Sequence, residues 1–494
     1  FQGDDLSDSS SIAACAKHFA GYGFTESGKE YNTVDVGTQT LHNVIMPPFK
    51  ATIEAGVRTF MNSFSQLNGV PATGSQYLQR TLLKEKWNFD GFVVSDWGSI
   101  EEMVEHGYAK DAKQATRFAV EAGSDMDMQS LAYVEHLTDL VKSGIVKEEL
   151  VDDAVRRILR VKFELGLFDD PYKYCDVQRE SKIIGQEKFQ KASLEMAKKS
   201  IVLLKNKNQL LPLKKQGLKI ALIGDLADDK TSPLGNWILA AENNSAVSVL
   251  EGMKVYKGND IEFSVGAKLN TGKIEFAKEL KINTTDKSDF NSAIKIAKKA
   301  DVVVMVLGEH GFQSGEGRSR TNLGLPGLQQ QLLEAVFEVN KNIVLVLNNG
   351  RPLVLNWADQ HIPAIIEAWQ LGTQSGNAIA QVLYGDYNPS GKLPMTFPRS
   401  VGQVPIYYNY RSTGRPTLPS PDEVFWTHYQ DEQNTPLYPF GYGLSYTTFA
   451  YKNLKIEPQT DSSHEVSVEV TNTGNAHGKE VVQLYVKDHY AQPA

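Results

Sequence analysis

Cysteine is nearly absent: Cys15 and Cys175 are the only two among 494 residues. Two thiols cannot build a zinc ribbon, an iron–sulfur centre or a disulfide framework, and they leave room for one bridge at most. Long apolar runs are missing as well, since no stretch approaches the ~20 residues that a membrane-spanning helix requires. There is no basic excess. Lys and Arg total 51 against 59 Asp and Glu, a net charge of −8, so the chain lacks the electrostatic footprint of a nucleic-acid binder. The ten histidines are scattered without a His-Glu-x-x-His pattern, and no metal or other cofactor is expected. The stretch from Gly385 to Lys392 misses the phosphate-loop spacing, and Leu393 stands where that loop needs Ser or Thr. No internal repeat or low-complexity tract appears. The first five residues lack the basic and apolar regions of an export signal.

What is present fits about three domains at roughly 150 residues each. Over residues 1–172 short apolar segments alternate with helical stretches, the rhythm of an α/β domain. Strands are predicted at Ala14 to Phe19, Arg58 to Phe64, Phe92 to Val94 and Gly123 to Met126, each ending in polar residues. That arrangement suits a (β/α) barrel with its chemistry at the strands' carboxyl ends. A barrel needs eight strands, so four correspond to its C-terminal half. Residues 173–212 form an expected linker, although Glu187 to Leu204 within it has the pattern of a helix running into a strand.

Over 213–400 nearly continuous apolar runs at Lys219 to Ile223, Val302 to Leu307, Ile343 to Leu347 and Ala364 to Ala368 predict parallel strands buried on both faces. Separated by helices, they make a doubly wound α/β sandwich. Residues 401–447 are aromatic-rich connecting loops. From 448 to 494 period-two alternation, as in Val466, Val468 and Val470, predicts the start of an antiparallel β-sandwich too short to be complete. The sequence therefore has the appearance of a chain cut at both ends.

Three places could carry chemistry. Asp96 follows the apolar run Gly91 to Val94 and precedes Trp97, a pairing that suits a nucleophile for sugar chemistry because pyranose faces stack on aromatic rings. An N-cap before Glu101-Glu102 accounts for the same Asp equally well. Lys17-His18 ends another strand and offers two donors for sugar hydroxyls, or simply a surface pair. In the second domain a glycine-rich loop after Leu307 holds Glu309, Glu316, Arg318 and Arg320, either one half of a glycosidase carboxyl pair or a solvated loop held by ion pairs.

Taken in order, Lys17-His18-Phe19-Ala20-Gly21-Tyr22-Gly23, Tyr31-Asn32-Thr33-Val34-Asp35, Met46-Pro47-Pro48-Phe49, Ser95-Asp96-Trp97-Gly98, Leu165-Gly166-Leu167-Phe168 and Tyr438-Pro439-Phe440-Gly441-Tyr442-Gly443 strongly resemble glycoside hydrolase family 3, bacterial periplasmic β-glucosidases above all. The resemblance covers nearly the whole chain. It implies a barrel, an α/β sandwich and a fibronectin type III-like domain. It also implies roles: Asp96 as nucleophile, Trp97 as the wall beside it, Lys17 and His18 on sugar hydroxyls, and Met61 and Phe64 lining that subsite. Phe64 is often Tyr in relatives. Glu316 matches the acid/base and Glu309 the family's strand-end Glu, with Glu316 preferred because its loop precedes the Ser-Arg signature.

The implied activity is retaining, exo-acting hydrolysis of terminal β-glucosyl residues from an oligosaccharide or glucoside, in the periplasm or outside the cell. The implied partners are carbohydrate, with neither nucleic acid nor membrane. A homodimer, or a separate segment completing the barrel, is compatible with this, because an upstream half would normally supply an Asp and an Arg to the sugar site. A β-xylosidase or broader β-glycosidase, or a non-catalytic carbohydrate-binding fragment, stands as the alternative. A β-N-acetylglucosaminidase fits less well, since no His-Asp pair follows Gly23 before His42.

Overall fold

The computed structural model describes residues 1–416, 423–461 and 463–487. Positions 417–422 of the expected connecting loops, and 462 and 488–494 of the expected β-sandwich, lie outside the described residues. Two compact units emerge, one built on Phe1–Ile184 and the other on Gly185–Val486. Cys15 and Cys175 are both free thiols, so the single bridge that the sequence allows is not formed.

In the first unit β1 (Cys15–Phe19), β2 (Thr59–Asn62) and β3 (Phe92–Val94) form a parallel sheet in that order. Parallel neighbours require crossovers, and helices α1 (Met46–Glu54) and α2 (Tyr77–Lys86) supply them. An aromatic core lies under the sheet: Phe19, Phe60 and Phe89 are fully buried, with ring centroids 5.4 Å apart for Phe19–Phe60 and 4.9 Å for Phe60–Phe89. Helix α3 (Ala112–Ala122) starts where the Asp111 carboxylate accepts the Gln114 amide at 2.8 Å, and it stops at Gly123, whose φ of +107° suits glycine. Helix α4 (Glu148–Glu164) fastens the approach to β3, because Arg157 Nη1 donates to Phe89 O (2.8 Å) and Gly91 O (3.0 Å).

The fourth expected strand, Gly123 to Met126, is reduced to a single bridge between Val94 and Met126. The backbone bonds of that bridge, Met126 N to Val93 O (3.1 Å) and Ser95 N to Met126 O (2.9 Å), are supplemented by a side chain. Val93 N donates to Asp125 Oδ2 at 2.8 Å rather than to a neighbouring carbonyl, while Val93 O accepts from Asp125 N (2.8 Å). The other Asp125 oxygen meets Lys84 Nζ at 2.6 Å, and both side chains are almost wholly buried. Burial presses both groups toward neutrality, Asp125 upward and Lys84 downward, and their mutual attraction opposes it. Alongside, Asn62 Nδ2 donates to Ser124 Oγ (2.8 Å) and Gln79 Nε2 to Thr73 O (2.8 Å), whereas Asn62 Oδ1 and Ser65 Oγ are buried without a hydrogen-bond partner among the described residues.

The second unit begins earlier than expected. Part of the stretch anticipated as linker, residues 173–212, belongs to this unit: after helix α5 (Val177–Ile183), which closes the first unit, α6 (Glu187–Ser200) leads into β4 (Val202–Asn206). Strand β4 is fully apolar at Val202–Leu204, and it pays out its hydrogen bonds as an edge strand antiparallel to β9. The remaining strands are β5 (Gln216–Ile223), β6 (Gly258–Ser264), β7 (Val302–Gly308), β8 (Ile343–Asn348) and β9 (Ala364–Glu367). Sheet order is β4-β9-β8-β7-β5-β6, parallel from β9 to β6.

Helices α7 (Val249–Lys254) and α10 (Ser375–Leu383) cover one face, α8 (Phe290–Ala297) and α9 (Gln329–Val339) the other. Strand β6 was not anticipated because it lies at the edge and alternates exposed and half-buried residues instead of presenting an apolar run. Beyond the sheet, β10 (Phe449–Pro458) pairs antiparallel with β11 (His464–Asn472). The alternation of Val466 and Val470 is present, but both remain exposed, because no second sheet covers the pair among the described residues. A two-sheet sandwich is thus represented by one hairpin.

Lys84→Met leaves the Asp125 carboxyl buried without its cation, and should lower the unfolding free energy by about 3–5 kcal/mol in a urea titration. Adding Asp125→Asn should recover part of that loss, and a single variant as stable as wild type would show that the pair does not support the sheet.

Candidate functional site

Strand β3 delivers Asp96 two residues past its carboxyl end. The residue is 7% exposed. Its Oδ1 accepts the Trp97 amide at 2.8 Å, and His18 Nε2 stands 3.5 Å from Oδ2. The segment is fixed on its other side as well, since Ser95 N donates to Met126 O (2.9 Å), Met128 N to Ser95 Oγ (2.8 Å) and Gly98 N to Met128 O (2.9 Å). Helix capping therefore does not account for Asp96: the next helix begins only at Glu102, and the carboxylate is turned to His18 and its own neighbour's amide.

The β1–β2 register shifts between Ala16 and Phe19, the stretch that holds Lys17 and His18. Lys17 is exposed and His18 half-buried. Met61 lies on β2 opposite Val94, half-buried, and Phe64 follows two residues beyond the strand. Trp97 is 64% exposed, presenting a large apolar face beside the carboxylate. The structure thus brings Lys17, His18, Met61, Asp96 and Trp97 to the carboxyl ends of three adjacent strands, with Phe64 just past β2.

Two aromatic residues join this group that were quoted in motifs without a role. Tyr22 packs edge-on to His18 with centroids 5.0 Å apart, and Tyr31 edge-on to Phe64 at 5.4 Å. They bring phenol hydroxyls to the neighbourhood of Phe64, which has none. Burial, helped by the nearby Asp96 charge, pushes the Glu102 carboxyl up.

In the second unit Glu309 and Glu316 part company. Glu309 immediately follows β7 and is wholly buried. Arg320 Nη1 meets its Oε1 at 2.6 Å and Arg351 Nε lies 3.1 Å from the same oxygen. The Glu309 carboxylate is thus engaged by two guanidiniums inside the unit rather than presented at its surface. Glu316 is half-buried in the loop beyond, between Gly315 (φ +104°) and Gly317 (φ +70°).

Neither Arg351 nor Glu367 was singled out from the sequence, although the polar group Asn349-Gly350-Arg351 follows an apolar run in the same way as Glu309 does. Glu367, at the end of β9, is wholly buried, accepting from Trp369 N (2.9 Å) and Asn349 Nδ2 (3.2 Å). Desolvation, helped by the charge of Glu309, pushes its carboxyl up to about 8. At the ends of β5, β6 and β7 a cavity of about 720 Å³ opens, lined in part by Asp225, Asp229, Phe276, His310 and Phe312. His310 Nδ1 accepts the Phe312 amide at 3.0 Å, and burial presses its imidazole down.

The raised Glu367 carboxyl has a consequence for stability. Between its ordinary value of 4.5 and about 8 the folded chain keeps a proton that the unfolded chain has lost, so this group's contribution is complete below pH 4.5 and fades as pH rises to about 8. The slope is about 1.4 kcal/mol per pH unit. Glu367→Gln should flatten the fall in unfolding free energy between pH 5 and pH 8, and parallel curves for variant and wild type would show that Glu367 is ionised in the fold.

Comparison with known proteins bears on the whole chain. The family model described as Glycosyl hydrolase family 3 N terminal domain matches residues 3–161, and that described as Glycosyl hydrolase family 3 C-terminal domain matches residues 201–446. The chain is 44% identical to the periplasmic beta-glucosidase of Salmonella typhimurium, covering 99% of this chain and 66% of that protein. It is 38% identical to a beta-xylosidase of Formosa agariphila, covering 99% and 67%. Among solved structures, the beta-glucosidase from Listeria innocua in complex with glucose superposes with a TM-score of 0.90 at 37% identity, covering 99% of this chain and 66% of that one. The chain spans about two thirds of the length of these relatives. Matches over both family segments, at this identity and with this similarity of fold, mean that the chain belongs to glycosyl hydrolase family 3.

Proposed function

We propose that this chain carries the chemistry of a retaining, exo-acting β-glucosidase, working in the periplasm or outside the cell on terminal non-reducing β-D-glucosyl residues. The observation that carries the reading is the Asp96 carboxylate, held at a strand end by the Trp97 amide and His18, with the exposed Trp97 ring beside it. A fixed, nearly buried carboxylate with an aromatic face adjacent is what a glycosyl acceptor group requires. Glucose as the sugar is supported by the names of the solved structures and of four curated relatives, four others being beta-xylosidases.

In the first step Asp96 attacks the anomeric carbon, the glycosidic C–O bond breaks, and Glu316 gives its proton to the leaving oxygen. In the second, Glu316 takes a proton from water as that water attacks the same carbon, releasing glucose and restoring the Asp96 carboxylate. Lys17 and His18 donate to hydroxyls of the bound sugar, Met61 and Phe64 line its apolar edge, and Trp97 stacks on it. Glu309 is set aside as the acid because two arginines hold it in a wholly buried site.

A β-xylosidase is the second reading, favoured by the 38% identity to a protein of that name and by Phe64, which offers no hydroxyl on the sugar subsite. The ratio of kcat/KM for p-nitrophenyl β-glucoside to that for the β-xyloside decides between them.

Asp96→Asn in the full-length protein should lower kcat by at least about a thousandfold with an unchanged melting curve, and wild-type turnover in that variant would remove Asp96 as nucleophile. Glu316→Gln should slow an alkyl β-glucoside by about 10²–10⁴-fold and a dinitrophenyl β-glucoside far less in its glycosylation step, because only the poor leaving group needs a proton. Sugar binding by the wild-type protein without any hydrolysis would support a carbohydrate-binding module instead.

A further inference from the structure

The loop bearing Glu316 is tied down on both sides of that residue: Gln370 Nε2 donates to Ser314 Oγ at 3.1 Å and Arg318 Nη2 to Phe276 O. Both residues flanking Glu316 are glycines with positive φ, the residue type with the widest backbone freedom, so its position has to be imposed from outside the loop. A single side chain reaches both flanks of Glu316. Arg351 Nη2 donates to Gln313 O and, at 2.8 Å, to Arg318 O, which stand on either side of Glu316. The same guanidinium is oriented from beneath, its Nε 3.1 Å from Glu309 Oε1 and 3.2 Å from Oε2. Glu309 is pinned in turn by Arg320 Nη1 at 2.6 Å, and Arg320 Nη2 donates to Gly324 O at 3.1 Å. Within the loop Arg318 N closes a turn on Gly315 O (3.1 Å), and Asn236 packs so closely that a Cβ at 315 would lie 2.8 Å from its side chain.

We propose that Arg351 is a positioning residue for Glu316, and that Glu309 is the buried anchor that orients Arg351. The inference rests on the reading of Glu316 as acid/base. A planar guanidinium satisfies both carbonyls and the carboxylate at once, because its donors lie in a fixed fork. A lysine ammonium keeps the charge opposite Glu309 but cannot span the three acceptors. The Arg351→Lys substitution therefore separates the electrostatics that stabilise the fold from the geometry that places the acid.

The test compares Arg351→Lys and Arg351→Ala with Glu316→Ala in the full-length protein. It reads kcat and KM on an alkyl and a dinitrophenyl β-glucoside, and amide hydrogen exchange across residues 313–318. Arg351→Lys should melt close to wild type. It should lose about 10- to 100-fold in kcat on the alkyl glucoside, a fraction of what a missing general acid costs, and far less on the dinitrophenyl glucoside, with KM little changed. Exchange over 313–318 should accelerate at least about tenfold while β8 keeps its protection. Equal losses on both substrates, unaltered exchange in the loop, or exchange that rises throughout the sheet would each overturn the proposal. Should Glu316→Ala itself show no dependence on the leaving group, the acid assignment falls, and the exchange data still decide whether Arg351 fastens the loop. If Arg351→Ala does not fold, Arg351→Lys carries the same comparison.

Discussion

A carboxylate driven out of water has to find cations or amides, and in the first unit Asp125 answers that demand in a way that shapes everything around it. Its oxygens take the Val93 amide and the Lys84 ammonium, so a side chain extends the single backbone bridge that Met126 makes to β3. Two residues past the end of that strand sits Asp96. The stiffness of the proposed nucleophile is therefore inherited from a group that never meets substrate: the strand cannot slide without exposing a buried amide or parting a buried ion pair, and either is costly.

The second unit uses the same physics to a different end. Glu309 is equally buried, but its partners are two guanidiniums whose remaining donors reach out into the loop beyond. The first unit thus holds its carboxylate on a strand, and the second holds Glu316 on a glycine-flanked loop guyed from below. On the proposed roles, the group that attacks one carbon stands at a strand end and the group that gives and recovers a proton stands on a loop.

Much of the architecture was legible because buried parallel strands are nearly pure apolar runs: β7, β8 and β9 lie where Val302 to Leu307, Ile343 to Leu347 and Ala364 to Ala368 pointed. Strand β6 escaped because an edge strand alternates, and its Asn259, Asp260 and Glu262 resemble loop residues. Gly123 to Met126 had a strand's pattern, yet nothing in sequence order announces that a side chain will take one of a strand's hydrogen bonds. The site divides similarly. Asp96 beside Trp97 and His18 beside Lys17 could be found because motifs preserve short spacings. Arg351, 42 positions from Glu309, could not, since only the fold makes neighbours of two strand ends.

The strand ends that carry these groups also bear on what genetic variation the gene can absorb. At Gly308, immediately before Glu309, a Cβ would stand 2.1 Å from Asn348 O, and at Gly224 a Cβ would stand 2.1 Å from Val306 O. Both residues have φ well into the positive range, +138° and +127°. Every missense change open to a glycine codon adds a Cβ, and here that atom meets backbone, which has no rotamer by which to withdraw. These two codons therefore have no conservative neighbours: synonymous drift is open to them, and amino-acid drift is closed.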